Sequence, residues 1–211
     1  MIKTLDEKKL AHACAELAET DSDLAFILKT YGTPPLWARD ADFSTLVHII
    51  LEQQVSLASA ASAFNKLREK VIEITPENVL RLSGEELKAC YFSRQKTVYA
   101  RELAKAILDK SLDLKALENL PDREAKAELK KIKGIGEWTS DIYLLMALLR
   151  ADVMPKGDLA LHVAYKKLKN LNIAPHGEEF QQIAEQWKPF RAAAARLLWH
   201  FYLSHKSRAA A

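Results

Sequence analysis

The stretch Leu129-Lys-Lys-Ile-Lys-Gly-Ile-Gly-Glu-Trp-Thr-Ser140 decides the fold. It reads as the end of one helix, a sharp turn through Gly134-Ile135-Gly136, and the start of a second helix. Glycine lets a backbone turn tightly and approach a partner closely. Successive amides just before a helix N-terminus carry partial positive charge, which suits a phosphate oxygen. Lys130, Lys131 and Lys133 add positive charge beside them. Taken alone, Gly-x-Gly favours a plain helical turn with solvated lysines, since such turns are common.

Outward from that turn, the helix period recurs almost everywhere and no alternating strand pattern is present. The spacing predicts helices over 4–19 and 22–30, then a break at Gly-Thr-Pro-Pro, 32–35. Further helices are predicted over 43–54, 56–72, 76–81, 84–90, 94–109, 113–119, 122–132, 137–149, 158–170, 176–186 and 189–204. Thr75-Pro76 and Leu120-Pro121 place proline at a first helical position, where its missing N–H costs nothing. Ser83 and Glu86 have capping-box spacing. Ile142 to Leu149 is nearly all apolar, and a helix apolar on every side is buried on every side, so this one is expected at the centre of the molecule. The chain reads as a single all-α domain over 1–211, in two helical lobes with a cleft between them.

Composition narrows the function classes. The chain has 211 residues, about half of them apolar, and a formal net charge of +3. This is a globular protein with charge compatible with nucleic acid but not diagnostic of it. Its two cysteines, Cys14 and Cys90, lie in no ligand spacing. A four-cysteine iron–sulfur centre is therefore excluded, and reduced thiols of an intracellular protein are expected. No run reaches the roughly 18 apolar residues of a membrane span, and the charged N-terminus does not read as a signal peptide. Cytoplasmic localisation, at the nucleoid if the source is bacterial, and a monomeric state are expected. The tail from Lys206 to Ala211 is expected to fray.

A second informative segment is Pro155-Lys-Gly-Asp158, followed by the helical run Leu159-Ala-Leu-His-Val-Ala-Tyr165. Aspartate before a helix is ordinarily an N-cap. Asp158, however, lies 22 residues after Gly136, with a buried helix and a Pro-Gly loop between them. His162 follows one turn later and reads as a surface or supporting histidine. No His-Glu-x-x-His or other zinc spacing is present.

These pieces together resemble the helix-hairpin-helix DNA glycosylase superfamily. Ile132, Gly134, Ile135, Gly136, Thr139 and Ser140 fill its hairpin pattern, and Asp158 falls where that superfamily has a carboxylate. Gln53-Gln54-Val55-Ser56 looks like its Gln-Gln-x-Ser segment. Trp187-Lys-Pro-Phe-Arg191 through Leu198-Trp199 resembles the ending of the alkylation-repair branch, typified by 3-methyladenine DNA glycosylase II. Some members carry an extra N-terminal β-containing domain, which is not expected here.

The resemblance implies a monofunctional enzyme that everts and hydrolytically excises N3- or N7-methylated purines from damaged double-stranded DNA. Asp158 would be the catalytic carboxylate, stabilising positive charge on the sugar as the base leaves. Strand-cleaving members have a lysine two residues after the second hairpin glycine. Trp138 stands there, and an indole forms no Schiff base. Trp138, Tyr143 and Trp199, with Trp37 and Phe43, are candidates for an aromatic base pocket, against a reading as plain core. Trp199 matches a pocket tryptophan of the family, whereas the family tyrosine falls on Ile142. Gln54, beside Gln53, is the candidate wedge for the vacated stack, against ordinary polar residues at a helix end. Gln53, Gln54, Ser56, Gly134, Ile135, Gly136, Thr139 and the three lysines would contact DNA. No cofactor is expected beyond a structural Na⁺ or K⁺ on the carbonyls of Lys130, Ile132 and Ile135. The competing readings are a non-catalytic helix-hairpin-helix DNA-binding module, a glycosylase for deaminated or oxidised bases, and a helical scaffold.

Overall fold

The structure, a computed structural model, describes the backbone of residues 3–209 and the side chains through 205. In chain order the helices are α1 (Glu7–Thr20), α2 (Ser22–Tyr31), α3 (Phe43–Glu52), α4 (Leu57–Val71), α5 (Pro76–Arg81), α6 (Gly84–Ala89) and α7 (Arg94–Leu108). There follow α8 (Leu114–Leu117), α9 (Asp122–Lys130), α10 (Glu137–Met146), α11 (Leu159–Leu168), α12 (Gly177–Ala184) with a 3-10 turn at Glu185–Trp187, and α13 (Arg191–Ala209). Among the described residues there is no strand, only an isolated antiparallel bridge between Thr4 and Arg150. The all-helical expectation holds. The helical part of the expected frayed tail runs to Ala209, and residues 210 and 211 lie outside the described residues.

Local sequence accounts for the helix starts. Asp6, Asp21, Asp42, Ser56, Thr75, Ser93 and Asp113 each accept an amide from the first turn of the following helix, satisfying donors the helix leaves open. The Ser83–Glu86 capping box has both its bonds, at 3.2 and 2.9 Å. Pro76 stands in the first turn as expected, but Pro121 is the N-cap of α9, one place earlier than predicted. The predicted helix over 137–149 stops at Met146. Leu149 takes φ +53°, a left-handed conformation that breaks the helix. Its carbonyl turns to accept the Leu5 amide at 2.7 Å.

The chain divides into two compact units, residues 1–38 with 149–211, and residues 39–148. In the first, α13 packs against α1, α2 and α11. Its residues Ala192 to Trp199 are buried in succession, so that stretch is enclosed on all sides. Short alanines let neighbouring helices approach it closely. In the second unit α3 packs against α4, α7 and α10, and α9 against α10. Leu46, Val47, Ile49, Ile50 and Leu51 of α3 and Ile142, Leu144 and Leu145 of α10 are all buried in that unit. Each such aliphatic side chain contributes about 1.5–3 kcal/mol on burial. Of the apolar run 142–149, Ile142 to Leu145 and Leu148 are buried in the second unit, whereas Met146, Ala147 and Leu149 are half-buried.

Candidate active site and nucleic-acid interface

Buried Val153, Met154 and Pro155 anchor the loop before α11. Gly157 then reverses it at φ +80°, and Asp158 becomes the N-cap of α11. The Asp158 side chain is not in solvent: the residue is 8% exposed. Its Oδ1 accepts the Leu161 amide at 3.0 Å and the Trp199 indole N–H at 3.2 Å. The capping bond fixes the carboxylate to α11, and the indole bond fixes it to α13. A carboxylate so held is pre-organised to face developing positive charge.

His162, one turn along α11, is buried, and its Nδ1 lies 3.4 Å from Nδ1 of His176. Its ring sits edge-on to Phe180 at 4.9 Å. Nε2 has no hydrogen-bond partner among the described residues. Burial and the neighbouring His176 lower its pKa, while the charge of Asp158 opposes them. It is a supporting residue of the first unit's interior and not a surface histidine.

The same unit brings two of the expected aromatics together. Trp37 and Trp199 meet edge-on, with ring centroids 6.3 Å apart and planes at 72°. Trp37 is half-buried and held at φ +49°, an unusual conformation for a bulky side chain. Of the remaining candidates, Trp138 is half-buried in the second unit. Phe43 is buried at the start of α3. Tyr143 is 0% exposed, with its hydroxyl buried and unpartnered among the described residues. Tyr143 is therefore a core residue of α10, because position 143 points inward where the half-buried Trp138 does not.

In the second unit the hairpin forms as its glycines require. The Ile135 amide closes the turn onto the Ile132 carbonyl at 3.0 Å, with both side chains buried. Gly134 takes φ +95°, and a Cβ there would fall within the ring of Tyr99. Gly136 is the N-cap of α10 and supplies no side-chain cap, so the cap residue leaves the first-turn amides open, the kind of donor an anion can use. Gln53, from the end of α3, donates its amide to the Gly134 carbonyl and to Thr139 Oγ1, each at 2.9 Å.

That geometry shows how the residues expected at DNA are held within the chain. Gln53 and Thr139 spend their polar atoms inside the protein, and Thr139 is only 2% exposed. Both shape the hairpin. Ser56 caps α4 by accepting the Ser59 amide at 3.1 Å. Gln54 is exposed at φ +56°, presented outward between α3 and α4. Of the three hairpin lysines, Lys130 pairs with Glu137 and Lys131 with Glu128 at 2.6 Å. Lys126 bridges Glu137 at 2.9 Å and Asp141 at 2.6 Å. Lys130 and then Lys126 hold the Glu137 carboxyl down at about 2. Lys133, on the turn itself, is exposed.

Sequence reasoning missed Tyr99 and Arg196. Nothing in a helix-spaced tyrosine reveals that it faces a glycine. Arg196 did leave a signal, a lone charge within Ala192-Ala-Ala-Ala-Arg-Leu-Leu198. Among the described residues no group of three or more histidine, cysteine, aspartate or glutamate side chains is placed to hold a metal. The carbonyls of Lys130, Ile132 and Ile135 fit a hard monovalent cation in kind. All three are neutral oxygens: that of Lys130 closes α9, where a helix leaves carbonyls unpaired, those of Ile132 and Ile135 belong to the turn that follows, and the Ile132 oxygen keeps a second lone pair beyond its bond to the Ile135 amide.

An all-helical chain with a glycine hairpin stapled from within, and a buried aspartate capping a later helix, defines a helix-hairpin-helix protein of DNA repair. The family described as HhH-GPD superfamily base excision DNA repair protein matches residues 47–190, and the chain belongs to it. It is thereby a base excision repair DNA glycosylase by class. It is 32% identical to DNA-3-methyladenine glycosylase 1 of Schizosaccharomyces pombe, over 74% of this chain and 71% of that protein. It is 29% identical to the alkylbase DNA glycosidase-like protein mag2 of the same yeast, over 98% of this chain and 99% of that protein. The solved S. pombe 3-methyladenine DNA glycosylase in complex with abasic DNA matches with a TM-score of 0.83 at 29% identity, covering 89% of this chain and 95% of that one. The DNA-3-methyladenine glycosidase of Bacillus halodurans matches at 0.73 with 25% identity, covering 98% and 94%. Among the described residues no helix is long and apolar enough to cross a membrane.

Proposed function

We propose that the chain is a monofunctional glycosylase that everts N3- or N7-methylated purines from double-stranded DNA and excises them with water. The observation that carries this reading is the bond from Trp199 Nε1 to Asp158 Oδ1 at 3.2 Å. It joins a fixed carboxylate to an aromatic ring, the pairing that a cationic leaving base and a cationic sugar need. The names of the relatives matched above support the substrate class.

The mechanism follows from charge. As the N-glycosidic bond breaks, its electron pair leaves with the base and C1′ becomes oxocarbenium-like. The Asp158 carboxylate stabilises that charge and orients a water whose oxygen bonds to C1′. The water's proton passes to the carboxylate or to solvent, leaving a free base and an abasic sugar. N-alkylated purines already carry positive charge, so departure needs no dedicated acid. Stacking a cationic base on indole is worth about 0.5–2 kcal/mol and favours damaged over normal purines. Gln54, exposed and outward, fills the vacated stack. The hairpin amides and Lys133 take strand phosphates. A monovalent cation on the hairpin carbonyls would add positive charge toward the same phosphates.

Trp138 stands where strand-cleaving members carry their nucleophilic lysine, which supports hydrolysis without a covalent intermediate. The test is a duplex with one alkylated adenine, followed by alkali to cut abasic sites. Product from the wild type and its loss in Asp158→Asn are expected. Binding without product would leave a DNA-binding module, and product only from deaminated or oxidised lesions would move the substrate class.

A further inference from the structure

Arg196 is 0% exposed, in the middle of the enclosed stretch of α13. Burying a guanidinium is expensive, and the cost is visible in its pKa, pushed down to about 10 by burial. Its geometry shows what it does. Nε donates to the Leu36 carbonyl at 2.8 Å, and Nη1 donates to the Ala192 carbonyl at 3.1 Å within its own helix. One end of the planar fork is thus fixed to α13, and the other grips the backbone immediately before Trp37.

Trp37 needs such a grip. Its φ of +49° is strained for a bulky residue, and such strain persists only where the surroundings impose it. The segment after Gly32 has no helix of its own to hold it. The consequence of holding it is the edge-on contact of Trp37 with Trp199, the ring bonded to Asp158.

We propose that Arg196 is a positioning residue, which clamps the Leu36 carbonyl so that Trp37 stands against Trp199 and completes the aromatic wall that receives the leaving base. This rests on the reading of Asp158 and Trp199 as the reacting site. Arg196 acts through Trp37 and not on the substrate itself. It therefore governs how well the base is bound more than how fast the bond breaks, because contacts held equally in ground and transition states appear in KM.

The test uses Arg196→Met, Arg196→Lys and Trp37→Phe, with two readouts. Two indoles held edge-on couple and give a paired near-UV circular dichroism band that needs no substrate. Trp37→Phe and Arg196→Met are expected to lose it, with the far-UV spectrum kept. On a duplex with a single 7-methylguanine, both are expected to raise KM about 3- to 30-fold, the span of one lost cation–aromatic contact, with kcat within about twofold. Arg196→Lys keeps one donor without the fork and is expected to fall between. A retained band and unchanged KM in Arg196→Met would overturn the proposal. Should Arg196→Met not fold, Trp37→Phe decides on its own, since this half-buried ring can change without opening the core, and an unchanged KM there overturns it equally. A wild type that releases no base sinks the reading of the site, while the circular dichroism arm still decides what Arg196 holds.

Discussion

Gln53 and Gly134, 81 positions apart in sequence, are joined by a hydrogen bond of 2.9 Å from the glutamine side chain to the glycine carbonyl. The same nitrogen donates to Thr139 Oγ1. One amide therefore ties the end of α3 to both sides of the hairpin, before and after its second glycine. Neighbouring Gln54 turns outward in a left-handed conformation. Of these two adjacent glutamines, one builds the hairpin and the other is exposed, the one that the proposed function has fill the vacated stack.

Gln53→Ala is expected to destabilise the protein by about 1–3 kcal/mol, because it leaves a carbonyl and a buried hydroxyl without their donor. Gln54→Ala is expected to stay within about 0.5 kcal/mol of wild type in urea unfolding. It should slow excision from duplex DNA more than from single strands, where there is no stack to fill. Equal stability losses in the two variants would contradict this division.

Gly134→Ala meets two obstacles, a φ of +95° and the Tyr99 ring. A loss of more than about 1 kcal/mol is expected from the conformation alone, with the clash added. Tyr99→Ala in the same chain should recover the steric part and leave the conformational part. A double-mutant cycle in urea separates the two. A purely additive cycle would show that the ring simply moves aside.

Lysine ion pairs around the hairpin rank its cations. Lys130 is engaged by Glu137 and Lys131 by Glu128, whereas Lys133 is exposed on the turn. Lys133→Ala should reduce the salt slope of duplex binding by about one, and Lys130→Ala by less. Binding titrations across salt concentrations check the order, and the reverse order would show that DNA breaks the Lys130–Glu137 pair.

Much of this was legible in the sequence, and the reasons are local. Glycine conformation and helix period are properties of short stretches, so the hairpin, the cap at Asp158 and nearly every helix could be read directly. Helix ends were less legible. α10 ends at Met146 and the chain turns left-handed at Leu149, which no leucine advertises. The least legible features are the contacts between distant segments. Gln53 looks like any glutamine at a helix end until Gly134 is placed beside it, and Tyr143 looks like a pocket aromatic until its face is known. Arg196 was visible as an anomaly, but its acceptor is a backbone carbonyl, which has no sequence signature.

His162 offers a pH test. Burial and His176 lower its pKa from 6.5, against the opposing charge of Asp158. The folded state thus resists protonation more than the unfolded chain does. The stability this contributes is complete above pH 6.5 and is lost as pH falls toward the folded value. NMR titration should place this imidazole below 6.5, and His162→Gln should lose less stability than wild type across the same acid range. A His162 that titrates above 6.5 would mean that Asp158 outweighs burial.

Asp158→Asn separates the structural duty of this residue from its chemical one. The amide oxygen of asparagine can still accept from the Leu161 amide and the Trp199 indole, and asparagine caps helices about as well as aspartate. The melting temperature and near-UV spectrum should therefore stay close to wild type. What disappears is the negative charge opposite the developing oxocarbenium. Single-turnover excision should fall by about 10²–10⁴, or roughly 3–5 kcal/mol of barrier, with duplex affinity maintained or raised because one charge repelling the phosphates is gone. A cap-only residue would give the opposite pattern: near-normal excision in Asp158→Asn, with both properties failing together in Asp158→Ala. Measuring the two variants side by side decides whether the carboxylate at the head of α11 is there to start a helix or to break a glycosidic bond.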